Sequence, residues 1–191
     1  MVDDDIEVCP ADASRWDSLA ELFGRAGASN GCWCQYWILG AGYHRRDRAS
    51  NRADLKAEIS SGMAGLLAFR QGRPVGWARV CERDELGWLS ERFPKYHFSG
   101  TSVIALPCLY VRPPDRGTGV MTALVSGAVD WARVHRKVLQ AYPIDPSVER
   151  ASRNRFTGVL PSFLAAGFTE VGRLATDRPV VEWAGTGDLD R

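Results

Sequence analysis

The chain has 191 residues, enough for one domain with a sizeable core. Its composition, 45% hydrophobic and 25% charged, is that of an ordinary globular protein and excludes a disordered or fibrous chain. The net charge of +1 argues against a general nucleic-acid binder, and no apolar run approaches the roughly 20 residues a membrane helix needs.

The acidic start, Met1-Val2-Asp3-Asp4-Asp5, has no signal-peptide pattern, and a cytoplasmic location is expected. The five cysteines, Cys9, Cys32, Cys34, Cys81 and Cys108, are odd in number and scattered, which argues against a disulfide framework. Cys32-Trp33-Cys34 is the one cluster. No second Cys or His pair lies at finger-like spacing, so no metal is expected. The cluster reads as small apolar residues in a packed loop.

In chain order, Asp3–Val8 is a short candidate strand. Ala11–Ala26 has helical apolar spacing, with Asp12 as N-cap and Gly27 as C-cap. Residues 28 to 49 are irregular and end in the basic run His44-Arg45-Arg46-Asp47-Arg48. Ser50 or Asn51 caps a helix to about Ser61. Strands near 64–70 and 74–82 flank a Gln-Gly turn and form a hairpin. Residues 83 to 100 make a long connection, a length often tied to function.

Thr101–Val111 follows as a central strand, buried on both faces by its run Val103-Ile104-Ala105-Leu106. Pro107 interrupts it and marks a bulge or the end of pairing on one side. A helix over Val120–Arg136 leads to a strand over Val138–Ile144, and a helical connection makes those two strands parallel. A polar loop, residues 145 to 154, precedes a last helix, Phe156–Ala166, in which Pro161 means a kink or a late start. Gly167 is placed for a left-handed C-cap. Phe168–Leu174 and Arg178–Ala184 form a closing antiparallel pair.

The most informative stretch is Leu109-Tyr110-Val111-Arg112-Pro113-Pro114-Asp115-Arg116-Gly117-Thr118-Gly119-Val120-Met121. A strand ends, a turn follows, and a glycine-containing corner opens a helix. Gly117 and Gly119 remove the Cβ atoms that hold a ligand off the backbone. The helix start adds unpaired N–H groups and a positive dipole end, and Arg116 adds a charge. Such a corner suits a phosphate or pyrophosphate. It is not a Walker loop, because no Gly-Lys-Ser/Thr triplet occurs. It is not a Rossmann fingerprint either, because Gly117-x-Gly119 is followed by Thr122 where a third glycine belongs.

Arg116-x-x-Gly119, after Leu109-Tyr110-Val111, resembles the acyl-CoA pyrophosphate loop of the GNAT N-acyltransferase superfamily. Met121 departs from the Gly or Ala of the family pattern, and a larger side chain there shifts the loop or narrows the groove. The hairpin around Gln71-Gly72 resembles the family's hairpin before the central strand. Phe163-Leu164-Ala165-Ala166-Gly167-Phe168 resembles its last helix. Gly31-Cys32-Trp33-Cys34-Gln35-Tyr36-Trp37 together with Phe156-Thr157-Gly158 resembles a bacterial subgroup of undefined substrate.

The resemblance implies a single α+β domain over residues 1–191. Its mixed, mostly antiparallel central sheet is flanked by helices and holds a parallel pair opened at the central strand. It implies acetyl-CoA as acyl donor and direct acetyl transfer to the amine of a small molecule. The backbone of Leu109 and Val111 then binds the pantetheine and acyl carbonyl. Gly117, Thr118, Gly119, Val120 and Met121 hold the pyrophosphate with Arg116, and Arg112 reaches the 3′-phosphate. Homodimers are common in that family, though no segment here requires one.

The proton-transfer groups are less evident. Ala105 and Pro107 occupy positions where relatives carry Glu or His. Phe163 replaces the usual Tyr of the last helix, and Phe156 replaces an Asn. Tyr142, Glu82 and His97 are the substitutes, as phenol, carboxylate and imidazole. Each is also an ordinary strand aromatic, surface carboxylate or loop histidine. Cys108 reads as core by strand alternation. Trp33, Tyr36, Trp37 and Trp88 are candidates for lining an acceptor pocket, or else for covering the sheet edge. The missing acid and base leave a second reading open, a non-catalytic acyl-CoA sensor or interaction domain. Acyl transfer to a protein N-terminus or lysine is a third.

Overall fold

Gln71 (φ 51°) and Gly72 (φ 74°) both adopt left-handed backbone, the combination that folds one strand tightly back on the next. They join β2 (Gly65–Arg70) to β3 (Arg73–Glu82). This hairpin lies within a seven-stranded sheet in the computed structural model, which describes residues 6–62, 64–96, 102–152 and 156–185. β1 (Ile6–Pro10) pairs outside β2. Beyond β3 come β4 (Val103–Val111), β5 (Val138–Ala141), β7 (Arg178–Trp183) and β6 (Thr169–Ala175), in that order. β4 and β5 run parallel, and the other neighbouring pairs are antiparallel. This is the expected mixed α+β sheet.

One face is covered by α5 (Val120–Val134), whose Val120, Leu124, Val125, Ala128 and Ala132 form a single apolar stripe. They pack on Ala78, Val80, Ile104 and Leu139, and α6 (Leu160–Ala165) adds Leu160 and Phe163 to the same core. The other face carries α1 (Trp16–Phe23) and α3 (Arg48–Ser61), with Leu19, Leu55 and Ile59 against Leu67 and Trp77. Further along that face, α2 (Tyr36–Leu39) and α4 (Gly87–Arg92) bury Trp37 and Leu89 against Ala105 and Tyr142. Coverage of both faces is why β3 and β4 are apolar almost throughout.

Several boundaries differ from the sequence reading, each for a local reason. The first helix stops at Gly24 (φ 58°), three residues before the expected Gly27. Asp12 does cap, but it caps a preceding turn over Ala13–Arg15 by accepting the Ser14 N–H at 2.9 Å. The third helix is capped by Asp47, which accepts the Ala49 N–H at 3.2 Å, rather than by Ser50 or Asn51. Asn51 is instead buried, donating to the carbonyls of Gly31 at 2.9 Å and Tyr43 at 3.1 Å. One amide thereby ties down the irregular stretch before it. The connection after β3 contains α4 and is not a bare loop. The last helix takes the late start: Pro161 sits in its first turn, where a missing N–H costs nothing. Gly167 is left-handed (φ 86°) as expected.

The parallel pair is short. It runs from Val103 opposite Val138 to Leu106 opposite Ala141 and then stops. Pro107 and Pro143 follow at nearly the same level, and neither has an N–H to continue a ladder. On its other side β4 bulges at Pro107: Arg79 pairs with Cys108 but Cys81 pairs with Ala105. Past these prolines β4 parts from β5, and the next strand is four residues long instead of running to Ile144.

Gly76 fixes how closely α5 approaches the sheet. A Cβ there would lie 2.6 Å from Val120 Cγ1 and 3.0 Å from Leu124 Cδ1. Gly76→Val is therefore expected to lower stability by about 1–3 kcal/mol through overpacking, read as a lower urea midpoint. An unchanged midpoint would contradict this close approach.

Candidate active site

β4 ends at Val111 and a single turn, Pro113–Asp115, reverses the chain. Gly117 (φ 77°) and Gly119 (φ 88°) are then left-handed, a backbone that a side chain would strain. α5 begins immediately afterwards, so its first N–H groups have no earlier carbonyl to bond. Among the described residues, the N–H groups of Gly117 through Thr122 have no partner. Six consecutive open amides at a helix start suit an anion by geometry and by dipole.

The corner is held by a carboxylate that the sequence reading passed over. Asp115 is buried at 8% exposure and accepts from Arg112 Nε at 2.6 Å. Arg70 lies 3.5 Å away on its other side and also donates to the Thr118 carbonyl at 3.1 Å. Thr118 in turn gives its hydroxyl proton to the Asp115 carbonyl at 2.7 Å. Arg116 folds back to donate to the Val111 carbonyl at 3.1 Å. Arg112 is therefore engaged with Asp115, and Thr118 points its hydroxyl into the turn. A groove of about 720 Å³ runs from Leu109 and Val111 past Arg116 and Gly119 to Met121, with Ser29 and Phe156 closing it. Met121 is half-buried against the core and forms part of this wall, and the helix starts in place around it.

At the split in the sheet, Leu109 N–H has lost its neighbour strand. It donates instead to the Phe156 carbonyl at 2.5 Å, and the Phe156 ring lies parallel to Tyr110 with centroids 6.3 Å apart. Phe156 was expected to open the last helix. It precedes that helix, because Gly158 and Val159 first pair with Ile144 as an isolated bridge. The amide expected to meet a thioester thus already holds a carbonyl oxygen.

Of the expected proton-transfer groups, Tyr142 and Glu82 are not among the residues lining this groove. Tyr142 is fully buried, its hydroxyl donates to Gln140 Oε1 at 2.6 Å, and burial pushes its acidity well above the ordinary phenol range. The expected thiolate-facing phenol is a core residue. Glu82 pairs with Ile104 and is bound to Lys137. Ile104 lies seven residues before Val111, about 23 Å along a strand. His97 lies outside the described residues. The four aromatics divide. Trp33 is buried against Trp16 and Phe23, whereas Trp37 is buried against Tyr142 at 5.2 Å. Tyr36, exposed, and Trp88, half-buried, lie 5.3 Å apart at the edge of the second group.

A buried ion pair lies on the same face of the sheet as α3. Arg79, 1% exposed, is bound by Glu58, which also accepts from Gln35 Nε2 at 3.0 Å. Burial works against the Arg79 charge, but Cys81, Glu58 and Cys34 outweigh it and the guanidinium stays charged. A charged residue at an inward position of the apolar run Val75–Cys81 was the available sequence signal.

Fold and corner together define the class: an α+β protein whose parted parallel strands and amide-lined helix start border one groove. Residues 32–152 match the acetyltransferase (GNAT) family, and the chain belongs to that family. Among solved structures, it is similar to the histone acetyltransferase HPA2 and related acetyltransferase of Corynebacterium glutamicum. That match has 18% identity and a TM-score of 0.59, and covers 97% of this chain and 99% of that one. It is also similar to the ribosomal-protein-alanine N-acetyltransferase of Brucella melitensis, at 17% identity and TM-score 0.57, covering 94% and 99%. A third likeness is to yncA of Salmonella typhimurium, solved with its cofactor acetyl-CoA, at 17% identity and TM-score 0.57, covering 94% and 93%. No curated protein matches the sequence.

Glu58→Ala strips the buried Arg79 of its carboxylate. Stability is expected to fall by about 3 kcal/mol, the low end for breaking a buried pair because Glu58 keeps some solvent contact. Urea unfolding checks this. An unaltered midpoint would mean that Arg79 does not depend on Glu58.

Proposed function

We propose that the chain is an acetyl-CoA-dependent N-acetyltransferase that passes acetyl directly to the amine of a small molecule. The observation that carries this reading is the row of unpartnered amides from Gly117 to Thr122 on the wall of the groove. A diphosphate satisfies such a row, and Arg116 adds a cation beside it. Val111 and Leu109 line the continuation of the groove towards the split, where a pantetheine arm fits as an added strand edge.

The Leu109 N–H supports the reading at the reacting end. It is directed at a carbonyl oxygen, that of Phe156, at 2.5 Å. A thioester carbonyl needs the same donor for polarisation. Binding the donor then requires the Phe156 carbonyl to withdraw. In the transfer, the amine nitrogen bonds to the carbonyl carbon, the carbon–sulfur bond breaks, and the sulfur leaves as thiolate. One proton passes from the amine nitrogen to that sulfur in the course of the reaction. Since Tyr142 and Glu82 are turned away from the groove, the amine best suited to this site has a low pKa and arrives neutral.

Ala105, Pro107 and Phe163 at the positions where relatives carry the acid and base motivate a second reading, a domain that binds acyl-CoA without turnover. A panel of amines assayed for thiol release, with product mass, separates the two. Acetylated product above the amine-free background supports the enzyme. Tight acetyl-CoA binding with no product across the panel supports the sensor. Acetylated peptides in place of small amines would shift the acceptor to protein.

The corner itself is tested by charge. Gly117 has open space around its Cβ position, and Asp and Asn both tolerate left-handed backbone. Gly117→Asp is expected to weaken acetyl-CoA binding by about tenfold or more through repulsion of a phosphate, with Gly117→Asn close to wild type. Equal binding by the two variants would remove the diphosphate from this corner.

A further inference from the structure

Acyl transfer leaves one pair of side chains beside the groove without a role. Cys34 has φ 62° and follows Trp33 at φ 44°, two successive non-glycine residues in left-handed backbone. Such strain persists only where the surroundings over-determine it. Here the Trp33 ring occupies the space of a Gly27 side chain, 2.3 Å from where its Cβ would be, and stacks on Trp16 at 5.9 Å. Backbone bonds from Cys32 to Ser29 and from Gln35 to Cys32, both 2.9 Å, close the turn.

The strained turn delivers one atom to one place. Cys34 Sγ lies 3.6 Å from Cys108 Sγ on β4 and accepts the Trp77 indole N–H at 3.1 Å. Arg79 is the cross-strand partner of Cys108, and its Nε and Nη1 are buried without a hydrogen-bond partner. The Cys108 thiol, then Arg79 and the Trp77 N–H, hold Cys34 below the ordinary thiol range against its burial. The bond to Cys34 and burial push Cys108 up. Burial pushes Cys32 and Cys81 up to about 11. Among these four sulfurs, Cys34 is the one whose acidity is raised, and Cys108 is the sulfur that faces it. Cys34 is 3% exposed, and Cys108 is half-buried as a residue.

We propose that Cys34 and Cys108 are a redox pair, oxidised by a peroxide to a disulfide that ties the turn before α2 to β4 and weakens acyl-CoA binding. The Cys34 sulfur attacks one peroxide oxygen, the O–O bond breaks, and one water leaves Cys34 as a sulfenic acid. The Cys108 sulfur then attacks the Cys34 sulfur, the S–O bond breaks, and the Cys108 proton departs with the second water. Two thiols lose two electrons and two protons, and hydrogen peroxide becomes two waters. A dithiol reverses the bond by exchange. A disulfide needs sulfurs about 2.05 Å apart, so the pair closes by about 1.5 Å. Cys108 directly precedes Leu109, whose N–H donates to the Phe156 carbonyl at the split. The pull is therefore applied one residue from the acyl site. The coupling to binding rests on the acyl-CoA reading of the groove; the disulfide itself does not.

The test treats the full chain with stepwise hydrogen peroxide, maps the non-reduced peptides by mass, and titrates acetyl-CoA before oxidation, after it, and after dithiothreitol. A Cys34–Cys108 cross-link lighter by two hydrogens is expected. So is a roughly tenfold loss of acetyl-CoA affinity, the worth of one backbone hydrogen bond, restored by the dithiol. Cys32→Ser should still cross-link, whereas folded Cys34→Ser and Cys108→Ser should not. A Cys32–Cys34 link, or sulfenic acid with no link, overturns the pair. A correct link with unchanged affinity overturns the coupling. If the reduced protein binds no acetyl-CoA, the acyl-CoA reading fails and the coupling with it, and the peptide map still decides the pair.

Discussion

A hydrogen-bonded parallel pair has no room for a ligand between its strands, and two prolines open this one. Pro107 on β4 and Pro143 beyond β5 each withdraw an N–H at the level where pairing ends, just past Leu106 and Ala141. The strands part there because no ladder donor remains to hold them. The parted edge leaves Leu109 N–H to the Phe156 carbonyl in place of a strand partner, and Val111 on the groove wall. The wide side of the sheet stays intact, since β3 and β4 resume pairing from Arg79–Cys108 to Gly76–Val111. The site is thus a local opening of the sheet between β4 and the chain that follows β5.

The corner is built on the same logic of withheld bonds. Two left-handed glycines and a helix start leave six amides open, and one buried carboxylate keeps them in place. Asp115 is an unusual neighbour for an anion site, because its charge opposes the ligand. Arg112 and Arg70 offset that charge, so the corner faces outward with dipole and Arg116 alone. Arg112 serves the fold first, which explains how an arginine adjacent to the loop is fixed before any ligand arrives.

What the sequence disclosed follows the range of the forces involved. The glycine corner, the Gln71-Gly72 turn, the Pro107 bulge and the Gly167 cap are local, each set by a residue type that only one backbone suits. Helix ends were displaced where two residues compete for a cap, as Asp47 outran Ser50 and Asn51, and Gly24 preceded Gly27. Roles that depend on distant packing were not readable. Tyr142 looked like an acid because its strand end was expected to face the gap, and Gln140 and Trp37 hold it in the core. Trp33 and Trp37 looked like pocket walls and are buried. Cys108 was read as inert core, and its neighbour Cys34 lies 74 positions away in the chain.

The central claim is that the open amides of Gly117 to Thr122 are the ligand's donors. Hydrogen–deuterium exchange with and without acetyl-CoA reads those amides directly. Exchange there should be fast in the free protein and slow markedly with acetyl-CoA, with ATP giving much less protection. Unchanged exchange at the corner, with protection appearing elsewhere or nowhere, would contradict the account.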